Sequence, residues 1–341
     1  MTSNGEASVA GATSDKRFRW GIVGTGLIAG MFAADVALLP DAVVQAVGSR
    51  SQESADAFGD QHSVPTRHSS YADLVADPDI DAVYVATPHP DHHASALLAI
   101  TAGKATLVEK PFTMSAAQAG ELIDAARAQG VFPMEAMWTR FLPHMARIRD
   151  LLESGALGDL RTVVADHGQW FAYDPAFRLF APELGGGALL DLGIYPVSFA
   201  SWVLGAPEKV TAVSNRAATG VDAQTSIVLQ YAGGQHAVLT TTLEAATSTC
   251  AAIAGTDARI EIEHTWYAPT TFSLVHRDGR VEAFEEPHEG RGMGYQATEV
   301  ARCVRQGRTE SSVMSLDETL AIMRTMDEVR RQIGLVYPGE G

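Results

Sequence analysis

Lys110, set between Glu109 and Pro111, and Tyr195, four residues after Asp191, are residue types that can move a proton on and off a carbinol oxygen. Taking a hydride from a secondary alcohol also requires removal of its hydroxyl proton, so an acid/base must stand beside the hydride acceptor. Pro111 restricts the turn that carries Lys110. Asp191 and Tyr195 fall on one face of a single helical turn, and a lysine cation beside a phenol favours the phenolate. Pro196 is awkward in a helix interior and points to a helix start or a distorted turn. The expected arrangement has Tyr195 accepting the proton, Lys110 steadying the oxyanion, and Asp191 orienting the pair or a substrate hydroxyl.

A hydride acceptor needs a cradle, and the chain offers one far upstream. Gly24-Thr25-Gly26-Leu27-Ile28-Ala29 follows an apolar strand and opens a helix-like stretch. Gly24 permits the tight turn, Gly26 lets the backbone approach a pyrophosphate, and Ala29 allows close helix–strand packing. The helix start adds free N–H groups and a positive dipole end. After the second strand come Ser49 and Arg50, with no acid at the strand end to take a ribose 2′-hydroxyl. That pair suits a 2′-phosphate, so NADP is the expected cofactor, with NAD the alternative. Thr87, Pro88, His89 and His92 follow the next strand. No cysteine or paired acid stands near these histidines, so no metal is expected. The loop, with Glu109 and Lys110, is expected to face the dinucleotide, His92 capping or starting the next helix.

The elements needed to hold these groups are legible as alternation. Strands are expected at Arg19–Val23, Val43–Gly48, Asp81–Thr87, Thr106–Glu109 and Val131–Ala136. Helices are expected from Leu27 to about Leu39, over His92–Ala102 and over Ala116–Gln129. Near-continuous apolar strands separated by helices imply an α/β, doubly wound parallel sheet over residues 18–140. After a helix at Leu142–Glu153 the pattern changes to strands at Arg161–Asp166, Glu208–Asn215, Thr225–Tyr231, Gln235–Leu243, Ala258–Glu263 and Thr271–Val275. These suit an open, mainly antiparallel sheet in an α+β domain over 141–341. Helices at Tyr295–Gln306 and Leu316–Ile333 close the chain, the last able to pack back on the first domain. Residues 1–17 are rich in small polar residues, lack the apolar core of an export signal, and read as a disordered tail.

Across 341 residues the formal net charge is −16, which argues against nucleic acid or an anionic membrane as partner. No apolar run approaches the roughly 20 residues that span a bilayer. Two cysteines, Cys250 and Cys303, cannot build a disulfide framework. A cytoplasmic protein is expected.

The chain resembles the Gfo/Idh/MocA oxidoreductases in the glycine turn, Thr87-Pro88, Glu109-Lys110-Pro111 and the glycine-rich run from Gly185 through Asp191 to Tyr195. The resemblance extends over nearly the whole length from Arg19. It implies a Rossmann domain followed by an open-sheet domain, assembled into dimers or tetramers through the sheets, with Lys110 catalytic or substrate-orienting. Many members carry histidine where this chain has Tyr195. The tyrosine and Glu135-Ala-Met-Trp138-Thr-Arg140 are similar to the branch holding glucose–fructose oxidoreductases, NADP-dependent xylose dehydrogenases and dimeric dihydrodiol dehydrogenases. That branch implies that Trp138 lines the substrate pocket. Arg140 either holds a substrate hydroxyl or bridges the domains. The implied activity is hydride exchange with a sugar or vicinal diol. The alternatives are a bound-cofactor aldose–ketose exchanger and a dinucleotide-sensing regulatory protein without turnover.

Overall fold

The computed structural model describes residues 17–340, so the expected tail lies outside the described residues apart from Arg17. Six strands form the first sheet: β1 (Phe18–Val23), β2 (Ala42–Gly48), β3 (Thr66–His68), β4 (Ala82–Val85), β5 (Ala105–Glu109) and β6 (Pro133–Ala136). Their order is β3-β2-β1-β4-β5-β6 and every pairing is parallel. The strand order reverses beside β1, and the crevice outside the strands' carboxyl ends there is where such sheets take a ligand. Every residue of β4 and β5 is buried, and β4 accordingly reads as an unbroken apolar run, whereas β5 buries Thr106 and Glu109 among its apolar residues.

Five helices connect these strands: α1 (Leu27–Val36), α2 (Gln52–His62), α3 (Tyr71–Ala76), α4 (His92–Thr101) and α5 (Ala116–Gln129). Serines at 51, 70 and 115 each accept the amide three residues on, capping α2, α3 and α5. The segment β3, α2 and α3 had no sequence expectation. Its strand has three half-buried residues, and α2 buries only Ala55, Phe58 and Gly59, so neither leaves a clear apolar period.

The second layer begins with α6 (Pro143–Glu153), β7 (Leu160–Gly168) and α7 (Ile194–Leu204). It continues through β8 (Lys209–Arg216), β9 (Asp222–Gln230), β10 (His236–Thr242), β11 (Ala251–Gly255), β12 (Ala258–Ile262), β13 (Thr271–His276) and β14 (Val281–Glu285). These strands form one sheet in the order β14-β13-β12-β11-β7-β10-β9-β8. All pairings are antiparallel except β7 with β10. The last helices are α8 (Met293–Arg305) and α9 (Leu316–Ile333). The Asp327 carboxylate of α9 accepts the Ala116 amide at 2.8 Å, while its Gln332 bonds both ways with the β8 backbone. Thus α9 ties the two layers together and covers a sheet edge.

One expectation is corrected here. The stretch Pro182–Leu204 is long and apolar enough, by length and composition, to cross a membrane, but most of it is buried inside the protein. It is broken by a π-helical turn at Leu189–Gly193 just before α7. Pro196 has no N–H for the Leu192 carbonyl, and a π-turn is a common way to absorb such a break.

Candidate active site

The glycine turn has the shape a dinucleotide needs. Gly24 has φ +103°, and a Cβ there would sit 2.7 Å from the Ala86 carbonyl oxygen, so only glycine fits. A Cβ on Gly26 would meet nothing within 4 Å. The start of α1 carries no side-chain cap and no acid, leaving its N–H groups free for an anion. Thr25 is half-buried and Ile28 likewise, whereas Leu27 is 79% exposed at the crevice edge. The buried Thr87 hydroxyl, next to Pro88, has no partner among the described residues. These features fit a nicotinamide dinucleotide. At the far end Ser49 is buried and Arg50 is exposed, making no ion pair among the described residues. Arg50 stands close enough to Tyr71 for its charge to oppose the upward push that burial gives the Tyr71 phenol.

His92 joins this turn to the chemistry. It is wholly buried, with its ring nitrogens 2.8 Å from the Pro111 carbonyl and 2.9 Å from the Thr87 carbonyl. Its expected contact with the dinucleotide is thus corrected to a brace between the two loops that flank it. His89 lies against the Gly185 carbonyl at 3.2 Å and the Asp191 carboxylate at 3.5 Å, while His93 pairs with Glu121. The three histidines therefore face three different places. Glu109 is likewise turned inward rather than toward a cofactor. Its carboxylate accepts from the Tyr84 hydroxyl at 2.5 Å and from the Lys110 amide at 3.2 Å, anchoring the turn. Burial pushes its carboxyl up from the ordinary value.

Lys110 reaches across to the second layer. Its ammonium donates to the Asp191 carbonyl at 2.8 Å and to the Asp191 carboxylate at 3.3 Å. Arg178 donates to both oxygens of the same carboxylate, at 3.0 and 3.2 Å. Burial alone would raise the Asp191 carboxyl, but Lys110, His89 and Arg178 outweigh it and hold the group well below the usual range. Burial also acts against the Lys110 ammonium; Asp191, Tyr195 and Glu109 reverse that, so its pKa is raised and the cation persists.

Tyr195 sits over this cation, its ring centroid 5.0 Å from Lys110 Nζ. Trp138 Nε1 donates to the Tyr195 hydroxyl at 3.0 Å. Trp138 is only 4% exposed, so it meets the pocket from behind the phenol. The expectation that Lys110 favours the phenolate is corrected in magnitude. Burial is the larger effect and pushes the phenol up to about 12, with Lys110 pulling the other way. Tyr195 is a protonated acid near neutral pH.

Arg140 leaves the substrate set. It is 3% exposed and donates to the Ser198 carbonyl at 2.7 Å and to Glu318 of α9 at 2.7 Å. Its role is to bridge the layers, the second of the two expected. Three groups beside Tyr195 had escaped notice. His167 stacks on Tyr267 with centroids 4.1 Å apart and meets Tyr195 edge-on at 5.2 Å, while Gln169 bonds the Tyr267 hydroxyl at 3.0 Å. The inward alternation of Val163 and Ala165 would have reached His167 had the expected strand run one residue further. Tyr267 lies in an irregular loop with no sequence signal.

Comparisons with known proteins agree with this geometry. Residues 18–136 match the model of an oxidoreductase family with an NAD-binding Rossmann fold, and residues 145–261 match the GFO/IDH/MocA C-terminal domain. The chain is 38% identical over 333 residues to the trans-1,2-dihydrobenzene-1,2-diol dehydrogenase of Bos taurus, covering 94% of this chain and 98% of that one. It is 40% identical over 332 residues to the enzyme of that name from Xenopus laevis, covering 94% and 99%. Among solved structures, it superimposes on an aldose-aldose oxidoreductase from Caulobacter crescentus complexed with glycerol (TM-score 0.85, 25% identity, 93% and 97% covered). It also matches a 3-ketoreductase from Actinomadura kijaniata in complex with NADP and TDP-benzene (TM-score 0.83, 26% identity, 93% and 98% covered). With its glycine turn, Lys110 and Tyr195 set in this two-sheet frame, the chain belongs to the Gfo/Idh/MocA family of oxidoreductases.

Proposed function

We propose that this protein is an NADP-dependent oxidoreductase that moves a hydride between the nicotinamide and a secondary carbinol or carbonyl carbon of a sugar or vicinal diol. The observation that carries the reading is the contact of Lys110 with both Asp191 and the Tyr195 ring, on a turn that His92 braces to the dinucleotide loop. Relatives named for diol, aldose and keto-sugar chemistry support the substrate class.

A bound dinucleotide supplies or accepts the hydride, held by the backbone at Gly24 and Gly26 and by Arg50. The protein's own groups handle the proton and the charge. In carbonyl reduction Tyr195 gives its proton to the substrate oxygen, Lys110 offsets the negative charge growing there, and Trp138 steadies the phenolate left behind. Asp191, clamped by Arg178, holds the Lys110 ammonium in place. In oxidation Tyr195 must first lose its proton, so that direction gains with rising pH.

The second sheet presents an outward face with Val164 46%, Val213 67%, Val228 37% and Val238 42% exposed. We assign it to a homodimer or homotetramer, which a Val164→Glu substitution would dissociate in sedimentation experiments. The acidic, cysteine-poor composition supports a cytoplasmic location, which cell fractionation tests.

The deciding experiment is turnover with NADP⁺ and NAD⁺ against pentoses, hexoses and cyclic trans-diols. Binding of NADPH without turnover across that panel would overturn the enzyme reading.

A further inference from the structure

Tyr84 carries the one polar side-chain group of β4, set between Val83 and Val85, and it is wholly buried. Register explains where its hydroxyl goes. Tyr84 pairs with Leu107 of β5, and Glu109, two residues on, points to the same face of the sheet. The Tyr84 hydroxyl therefore meets the Glu109 carboxylate at the strand end, at 2.5 Å, and the other carboxylate oxygen takes the Lys110 amide. Phe32 of α1 fixes the Tyr84 ring, stacked on it with centroids 3.9 Å apart and planes at 21°. A rigid line thus runs from the first helix through Tyr84 and Glu109 to the turn that carries Lys110.

The protonation of Glu109 follows from the donors around it. Tyr84 and the Lys110 amide both donate to this buried group, which has no third hydrogen-bond partner among the described residues. A neutral carboxyl would leave either its own hydrogen or that of Tyr84 without an acceptor in a dry site, which is costly. The group is therefore a carboxylate. Burial raises its pKa, and Lys110, the Tyr84 hydrogen bond and the Lys110 amide oppose that rise. The charged and titratable groups facing it are Lys110 on its own turn, Tyr84 on β4, Glu135 on β6, and Arg178, Asp191 and Tyr195 of the second layer.

We propose that Tyr84 and Glu109 are positioning residues for the reaction: the Tyr84 hydroxyl keeps a buried negative charge on Glu109, and that charge holds both the turn and the cation of Lys110. The inference rests on the oxidoreductase reading of the Lys110–Tyr195 site and deepens it, making the charge of Glu109, and not only its shape, a requirement of turnover. Asp191 clamps the ammonium from the second layer and Glu109 answers it from the first, so the cation has an anion in each layer. Protonation of Glu109 weakens its bond to the Lys110 amide and its hold on the ammonium together.

The test uses Glu109→Gln, which keeps the shape and an acceptor but removes the charge, and Tyr84→Phe, which keeps the ring on Phe32 but removes the hydroxyl. Carbonyl reduction is followed against pH, with NADPH affinity measured alongside. The wild type should show an acid limb in kcat that belongs to Glu109. Losing a hydrogen bond to the charged form raises a carboxyl pKa, so in Tyr84→Phe the limb should move up by about one pH unit or more. That variant should lose about tenfold in kcat near neutrality and recover at alkaline pH, with KM and NADPH affinity little changed. In Glu109→Gln kcat should be low at every pH and the limb absent. A limb that persists in Glu109→Gln belongs to another acid, such as Glu135, and overturns the proposal. Wild-type turnover in Glu109→Gln, or a Tyr84→Phe deficit that alkaline pH does not relieve, overturns it too. Trace acetylation of Lys110 against pH, read by mass spectrometry, needs no turnover. In Glu109→Gln the lysine should become reactive about one pH unit lower, the scale of one lost neighbouring charge. That shift in a protein that turns over nothing supports the positioning charge and sinks only the underlying reading, whereas unchanged reactivity refutes the proposal.

Discussion

The Lys110 ammonium binds Asp191 twice, at its backbone carbonyl (2.8 Å) and at its carboxylate (3.3 Å), joining the two layers at the point of chemistry. The double contact fixes where the cation sits as well as its charge. Asp191 lies in a π-helical turn, so the acceptor geometry depends on a local distortion that Pro196 makes favourable.

Removal of either proton-handling partner should therefore cost turnover more than binding. Lys110→Ala and Tyr195→Phe are each expected to lower kcat by about 10²-fold or more. The Tyr195 phenol stands at about 12, so the wild-type oxidation rate should climb through the alkaline range while reduction stays flat near neutrality. Steady-state rates in both directions against pH check this. A Tyr195→Phe variant with wild-type turnover would remove the phenol from the mechanism.

Gly24 and Gly26 should separate fold from function. An alanine at Gly24 meets a strained φ and the Ala86 carbonyl, so it should destabilise the fold. At Gly26 the same change enters open space, φ being −76°. Gly26→Ala should keep the wild-type melting temperature yet weaken dinucleotide binding by about tenfold or more, since the backbone must approach the pyrophosphate there. Thermal melts and fluorescence titration with NADPH give the two readouts.

Arg50 should govern cofactor choice. It has no ion-pair partner among the described residues and stands exposed after β2, free to take a 2′-phosphate. Arg50→Ala should weaken NADP by about tenfold or more and leave NAD nearly unaffected, in line with the loss of one charge-assisted contact. An equal loss for both cofactors would refute the phosphate assignment.

The Arg140–Glu318 contact should prove structural. Breaking a buried pair by removing one partner costs about 3–5 kcal/mol in general, and a value at or below the lower end is expected because Glu318 is partly exposed. Arg140→Met should lower stability by that order with little change in substrate KM. A large KM effect at unaltered stability would restore Arg140 to the substrate pocket.

What was legible in the chain was what local physics decides. The glycine turn, the buried strands β4 and β5 and the α9 period each follow from neighbouring residues. Lys110 and Tyr195 were recognisable as chemical types, but their relation depends on a contact spanning 81 residues, and the upward shift of the phenol depends on burial that only the tertiary fold creates. The same reason hid His92, whose position and histidine neighbours suggested a cofactor contact while its ring is spent on two carbonyls. Strands β11 and β14 escaped because Ala251–Gly255 is mostly small residues and Val281–Glu285 carries two glutamates.

Asp222 should give stability a pH dependence near neutrality. It is fully buried, and its Oδ2 accepts the Leu189 amide and the Thr225 hydroxyl, both at 2.8 Å, at the start of the turn that carries Asp191. Its Oδ1 has no partner among the described residues and faces Gly187, where a Cβ would lie 2.2 Å away. Burial pushes the carboxyl up to about 7, whereas an unfolded aspartate titrates near about 3.9. Between those values the folded chain keeps a proton the unfolded chain has lost. The stabilisation is thus complete below the unfolded value and disappears as pH rises through about 7, amounting to about 2 kcal/mol between pH 5.5 and 8. Glu135, raised by burial to about 7 as well, adds to the same trend. The melting temperature should fall by several degrees over that interval, and Asp222→Asn, which keeps an acceptor for Leu189 and Thr225 without a titrating charge, should remove roughly half of the fall. Melting curves of both proteins at the two pH values decide it: an identical slope in the variant would show that Asp222 does not titrate in this window.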